Sequence, residues 1–99
     1  MRIAFDVDGT LIDFNDRPRP VMVMLLSTLL YAGNEVIVWS GGGREYAAKW
    51  AERLGVLDRV TALGKFDPVV KDLHVDLAFD DEKDTLMADQ MVIVGRARG

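Results

Sequence analysis

The chain has 99 residues, of which 49% are hydrophobic and 28% are charged, and its formal net charge is −4. This length and composition predict one soluble globular domain over residues 1–99 and exclude a disordered or fibrous chain. The net negative charge disfavours bulk attraction to nucleic acid and to anionic membranes. There is no cysteine, so disulfides and thiolate metal sites are excluded, and a cytoplasmic location is expected.

The first third of the chain predicts a strand, a loop and a helix. The apolar residues 3–5 and Val7 lead into Asp8-Gly9, which is typical of a buried strand that ends in a turn. Residues 11–19 are polar and predict a loop. Residues 20–32 predict an apolar helix, with Pro20 in its first turn and Gly33 just past its end. This stretch is shorter than the roughly 20 residues that a membrane-spanning helix needs.

The rest of the chain continues the alternation of strands and helices. The β-branched and aromatic residues 35–39 predict a second strand, and residues 44–54 have the apolar spacing of a second helix. Shorter strands are expected at residues 59–63, 75–79 and 91–94, and short helices at residues 68–73 and 82–88. The large side chains expected to pack inside are Met22, Met24, Trp39, Trp50, Met87 and Met91. The pattern predicts a small, doubly wound, three-layer α/β domain of the Rossmann-like type, with a mostly parallel five-stranded sheet.

Polar side chains stand where the predicted strands end, which is where ligands bind in an open α/β sheet. They are Asp6, Asp8, Ser40, Lys65, Asp80 and Asp81. Neighbouring carboxylates stay ionised together only around a cation, and Mg²⁺ is the hard cation that prefers oxygen ligands. The Ser40 hydroxyl, the glycine N–H groups after it and the Lys65 ammonium could bind an anion beside that cation. These groups predict phosphoryl chemistry.

The order of these motifs resembles the haloacid dehalogenase superfamily. The resemblance rests on FDVDGTL at residues 5–11, VWSG at 38–41, a lysine after the third strand and FDD at 79–81. The first motif is specific, because two aspartates followed by Gly-Thr-Leu rarely end a strand by chance. The other motifs are weak individually and gain weight from their order.

The resemblance implies a catalytic role for the acidic residues. Asp6 would be the nucleophile that becomes a phosphoaspartate, and Asp8 would act as general acid and then as general base. The Mg²⁺ ligands would be the Asp6 carboxylate, the Asp8 backbone carbonyl and Asp80, with Asp81 ligating through water or holding the lysine. An acid at position 8 implies a phosphatase, because halogen-removing relatives lack it.

The resemblance also implies the groups that bind the substrate. Ser40 and the Gly41 N–H would contact the phosphoryl oxygens, and Thr10 would brace the loop that carries the nucleophile. Two lysines compete for the third motif. Lys65 is favoured because it follows the third strand directly, whereas Lys71 could reach the site through a helical segment.

The chain departs from the family pattern in two places. Three glycines precede Arg44 where relatives have a single glycine before the arginine, so a substrate-binding role is not carried over to Arg44. Only residues 12–19 separate the first motif from the first helix, which leaves no room for a cap domain. The expected site is therefore open, and a large substrate or a neighbouring subunit of a homo-oligomer would cover it. A phosphorylated small molecule, a nucleotide or a nucleic-acid end remains possible, and no membrane partner is expected.

Two other functions stay open from the sequence. A receiver-like phospho-acceptor domain also gathers aspartates, a hydroxyl and a lysine, although there the acceptor aspartate follows the third strand. A non-catalytic binding module could use the same fold. A calcium-binding loop is excluded, because Leu11 and Arg17 occupy the positions that require glycine and glutamate.

Overall fold

The computed structural model describes residues 1–82 and 87–95. These residues form a compact α/β unit with five strands and two α-helices. In chain order the elements are β1 (Arg2–Asp6), α1 (Pro20–Tyr31), β2 (Glu35–Ser40), α2 (Arg44–Arg53), a first 3₁₀ helix (Leu57–Arg59), β3 (Thr61–Gly64), a second 3₁₀ helix (Pro68–Asp72), β4 (Leu77–Asp80) and β5 (Gln90–Ile93).

All five strands are parallel, and their order across the sheet is β3-β2-β1-β4-β5. This is the order of the doubly wound Rossmann arrangement, and it differs from the 2-1-3-4-5 order of flavodoxin-like domains. The chain builds outward from β1 to β3, then returns to place β4 on the other side of β1. The carboxyl ends of β1 and β4 therefore flank the switch point at which such sheets bind ligands.

The sheet has an apolar core on each face. Side chains of β1 and β2 that point to one face pack with both α-helices, and this core includes Ile3, Phe5, Met22, Leu26, Val36, Val38 and Trp50. The opposite face includes Ala4, Ile37, Trp39, Leu63 and Ala78, packed with Val70 and Leu73 at the second 3₁₀ helix. Alternate residues of each central strand thus serve different cores, as the period of two requires.

The fold confirms the predicted architecture and shifts several boundaries. The third strand begins at Thr61 because a 3₁₀ helix occupies Leu57–Arg59, and the fourth strand is Leu77–Asp80 instead of residues 75–79. The helix expected at residues 68–73 is the 3₁₀ helix Pro68–Asp72. The helix expected at residues 82–88 falls largely on residues 83–86, which lie outside the described residues. Within residues 1–82 and 87–95, no helix has the length and apolar character needed to cross a membrane.

The prediction that Met24 packs inside is wrong, whereas both tryptophans are buried as expected. Helix α1 has no charged residue and is apolar on every side, so its sequence does not show which side meets the sheet. In the fold Met22 is buried, and Met24 is 67% exposed on the other side of the helix. Met87 and Met91 pack at the edge of the second core, as expected.

Candidate active site

A cleft of about 260 Å³ lies at the carboxyl edge of the sheet. Six of the residues predicted for the site line it: Asp6, Asp8, Ser40, Gly41, Lys65 and Asp81. Asp80 is buried just behind the cleft and contacts Lys65. The strands therefore bring together side chains that are up to 75 positions apart in the sequence, from Asp6 to Asp81.

The loop after β1 is held by its own backbone. The amides of Leu11 and Ile12 both donate hydrogen bonds to the Val7 carbonyl, at 3.0 and 3.1 Å. Gly9 has φ +81°, a backbone conformation that favours glycine, and a Cβ at this position would lie 2.6 Å from Cγ of Asp81, whose side chain would have to move. Arg19 donates from Nη1 to the Gly9 carbonyl at 2.7 Å. These contacts fix the path of the loop that carries both aspartates.

Thr10 is fully buried within the same loop. Its Oγ1 lies 3.5 Å from Oδ2 of Asp6, which is at the outer limit of hydrogen bonding. The hydroxyl of Thr10 is thus close to the predicted nucleophile, but the hydrogen bond between them is long. Thr10 is not among the residues that line the cleft, and the bracing role that the resemblance implies stays a prediction.

Lys65 joins the carboxylates of two strands. Its Nζ lies 2.9 Å from Oδ1 of Asp6 and 2.7 Å from Oδ2 of Asp80, and all three side chains are nearly buried. Lys71 is exposed on the second 3₁₀ helix. Of the two lysines that the sequence left in competition, Lys65 is the one in contact with the aspartates. Asp80 forms an ion pair with Lys65, whereas the resemblance suggested Asp81 as a partner for the lysine.

Burial dominates the electrostatics of the predicted nucleophile. It raises the pKa of Asp6 from 3.8 to about 7, with a further increase from the charge of Asp80, and the contacts with Lys65 only partly offset this. Burial by itself would lower the pKa of Lys65, but its hydrogen bonds to Asp80 and Asp6 outweigh that effect and raise it. The ammonium of Lys65 therefore stays charged between the carboxylates of Asp6 and Asp80.

The glycine-rich loop after β2 is organised by Ser40. Its Oγ accepts a hydrogen bond from Gly42 N–H at 3.0 Å, and its carbonyl accepts from Lys65 N–H at 2.9 Å. Ser40 does not cap α2, because the cap residue is Gly43 and it makes no side-chain capping bond. Arg44 donates from Nε to Asp67 at 3.1 Å and lies outside the set of residues that line the cleft.

Tyr46 is a site residue that the sequence reasoning missed. Its hydroxyl donates a hydrogen bond to Oδ1 of Asp8 at 2.8 Å. A residue of helix α2 therefore positions Asp8, the predicted general acid and base. Burial, followed by the bond to Asp8, raises the pKa of Tyr46, and the phenol thus remains a donor. The sequence places Tyr46 on the apolar side of α2, and no local signal indicates that its hydroxyl reaches across to β1.

Three carboxylates at the cleft could hold a metal ion. Ligand oxygens of Asp6, Asp80 and Asp81 lie within 4.8 Å of one another. An all-oxygen donor set suits Mg²⁺. The side chain of Asp8 is outside this group. Asp81 faces the cleft, whereas both oxygens of Asp80 accept hydrogen bonds, from Lys65 and from Glu82 N–H.

The comparisons with known proteins do not place this chain in a family. No protein-family model, no curated protein and no solved structure matches it.

Proposed function

We propose that this domain is a Mg²⁺-dependent phosphomonoester hydrolase that works through a phosphoaspartate on Asp6. The observation that carries the proposal is the convergence of Asp6, Asp80 and Asp81 at the sheet switch point, with Lys65 in contact with Asp6 and Asp80. Ser40 and Gly41 line the same cleft. A nucleophilic carboxylate, an ammonium and a hydroxyl around one small space suit an anionic phosphoryl group.

The charge of the site supports a divalent cation. If all three carboxylates ionise, Lys65 balances one of them and two negative charges remain. Burial, with a smaller contribution from the neighbouring Asp80, raises the pKa of Asp6 to about 7, so that near neutral pH protonation removes part of this charge when no metal ion is bound. When bound, Mg²⁺ would neutralise charge on the carboxylates and on the phosphoryl oxygens. Of these three carboxylates, Asp6 and Asp81 line the cleft and would hold the ion.

In the first chemical step an Asp6 carboxylate oxygen attacks phosphorus. The bond between phosphorus and the ester oxygen breaks, and the departing oxygen takes the proton from the carboxyl group of Asp8. Lys65 orients Asp6 through its contact with Oδ1 of that carboxylate, and Tyr46 orients Asp8 through the hydrogen bond to Oδ1 of Asp8. The products are a phosphorylated Asp6, an ionised Asp8 and the free alcohol.

In the second step water attacks the same phosphorus. The Asp8 carboxylate takes a proton from the water, the bond between phosphorus and the Asp6 oxygen breaks, and inorganic phosphate leaves. Asp8 is again protonated and Asp6 is again a carboxylate, so the cycle closes. Ser40 and Gly41 are positioned to bind the phosphoryl oxygens in both steps.

The strand order favours this function over the receiver-like alternative. Receiver domains have the flavodoxin-like order 2-1-3-4-5, whereas this sheet has the order 3-2-1-4-5. The predicted nucleophile Asp6 is also the last residue of the central strand β1, whereas the acceptor aspartate of a receiver comes at the third strand.

The proposal is tested with a panel of phosphate monoesters, with Mg²⁺ and with chelator. We expect Mg²⁺-dependent release of phosphate that is lost in Asp6→Asn. Asp58→Asn is the matched control, because Asp58 is an exposed acid on the first 3₁₀ helix, away from the cleft. Equal activity in Asp6→Asn and the wild type would refute the role of Asp6, and absence of hydrolysis across the panel would refute the function.

A further inference from the structure

A second cavity adjoins the cleft and shares two of its residues. It has a volume of about 460 Å³, and Lys65 and Phe66 line both spaces. The remaining wall of this groove includes Val70, Leu73 and Met87, with Lys71 and Asp67 as its polar groups. A group bonded to a phosphate in the cleft therefore has a mostly apolar space directly beside it. A volume of this order is within the range of small-molecule pockets.

Phe66 stands at the junction of the two spaces. Its side chain is 84% exposed, although large aromatic side chains are usually buried in a domain that can cover them. Its ring lies against the backbone of the glycine-rich loop, since Cε2 would be 3.7 Å from a Cβ on Gly41. The ring thus presents an open surface next to the phosphate-binding loop. A second exposed aromatic residue, Phe14, lines the far side of the cleft.

We propose that the substrate is a nucleoside monophosphate whose base stacks on Phe66 in this groove. This inference rests on the proposed phosphatase function. An exposed phenyl ring favours a planar aromatic ligand, because ring stacking provides binding energy that an aliphatic chain does not obtain. Lys71 lines the groove, and its charged side chain favours a base with polar edges over a hydrocarbon. The net charge of −4 favours a free nucleotide over the end of a nucleic acid.

The experiment compares adenosine 5′-monophosphate with ribose 5-phosphate, which carries the same phosphate on the same sugar without a base. We expect kcat/KM to be higher for the nucleotide by roughly 5- to 150-fold, the range for one base stacked on one aromatic side chain. Phe66→Ala should remove most of this preference, and Phe66→Tyr should retain it. Because Phe66 is so exposed, neither substitution should impair folding. Tyr31→Ala is the matched control: Tyr31 is 96% exposed at the end of α1, just before the amino end of β2.

A binding measurement separates the two proposals. Calorimetry with Asp6→Asn and Mg²⁺ should show the same preference for the nucleotide without turnover. Equal affinity and equal kcat/KM for the two ligands would overturn the base-stacking inference and leave the phosphatase function standing. A binding preference that depends on Phe66, with no hydrolysis of any monoester, would overturn the phosphatase function instead. Faster hydrolysis of a 5′-phosphorylated oligonucleotide than of the free nucleotide would overturn the assignment to a free nucleotide.

Discussion

The hydrogen bond from Tyr46 to Asp8 leads to a prediction that depends on the leaving group of the substrate. In Tyr46→Phe the ring stays and only the donor at 2.8 Å is lost. Asp8 becomes charged as it gives up its proton to the leaving group, and a hydrogen bond to a charged group contributes about 1.5–3 kcal/mol. The lower end applies because this pair is only partly buried. About 1.4 kcal/mol corresponds to a tenfold change in rate. We therefore expect kcat/KM for an alkyl phosphate to fall about tenfold.

The loss should be much smaller for para-nitrophenyl phosphate. Its leaving group departs as a stable anion and needs little help from a general acid, so a poorly oriented Asp8 matters less in the first step. The assay is steady-state kcat/KM for both substrates at saturating Mg²⁺, because kcat/KM reports the steps up to phosphate transfer. Tyr31→Phe, the same change at the exposed second tyrosine of the chain, is the control. An equal loss for both substrates would refute a role through Asp8.

Three further predictions concern the charges of the molecule. Lys65→Met leaves the buried carboxylates of Asp6 and Asp80 without their ammonium partner. The free energy of unfolding measured in urea should therefore fall by about 3–5 kcal/mol, and Mg²⁺ should restore part of it. Unchanged stability would contradict a stabilising role for these ion pairs. Burial raises the pKa of Asp6 to about 7 when a chelator keeps the site free of metal. Between about pH 4 and 7 the folded protein therefore binds more protons than the unfolded protein does. Stability should therefore decrease as pH rises through that window, and urea unfolding of Asp6→Asn should lack this part of the slope. The hydrogen bond to Asp89 raises the pKa of His74 above 6.5. The contribution of this contact to folding stability is therefore complete below pH 6.5 and is lost as the pH rises through the pKa of His74 in the folded protein. NMR titration should show a lower His74 pKa in Asp89→Asn.

The sheet and its active edge could be predicted because each strand carries its own local signal. Residues 3–7 and 35–39 combine apolar, β-branched and aromatic side chains, and turn chemistry follows each of them directly. Parallel strands necessarily bring their carboxyl ends to one edge, so the meeting of Asp6, Ser40 and Lys65 follows from the element order. The residues that terminate buried strands thus reveal a site without any knowledge of the loops.

Features that depend on packing between elements could not be predicted. The bond from Tyr46 to Asp8 requires the rotation of α2 relative to β1, which helical periodicity does not specify to within a side chain. The exposed side of α1 was missed because a helix that is apolar all round has no polar side to mark it, and Met24 was assigned to the core as a result. The choice between Lys65 and Lys71 depended on the path of the chain after β3, which folds as a short 3₁₀ helix.

The most direct test of the central claim is to capture the phosphate on Asp6. Asp8→Asn should slow the attack by water, so that rapid quenching with a radiolabelled aryl phosphate and Mg²⁺ leaves label on the protein. Borohydride reduction converts an aspartyl phosphate to homoserine, which peptide mass spectrometry can locate. We expect a label that hydroxylamine releases and a homoserine at position 6. Turnover without labelled protein, or homoserine at any other position, would contradict it.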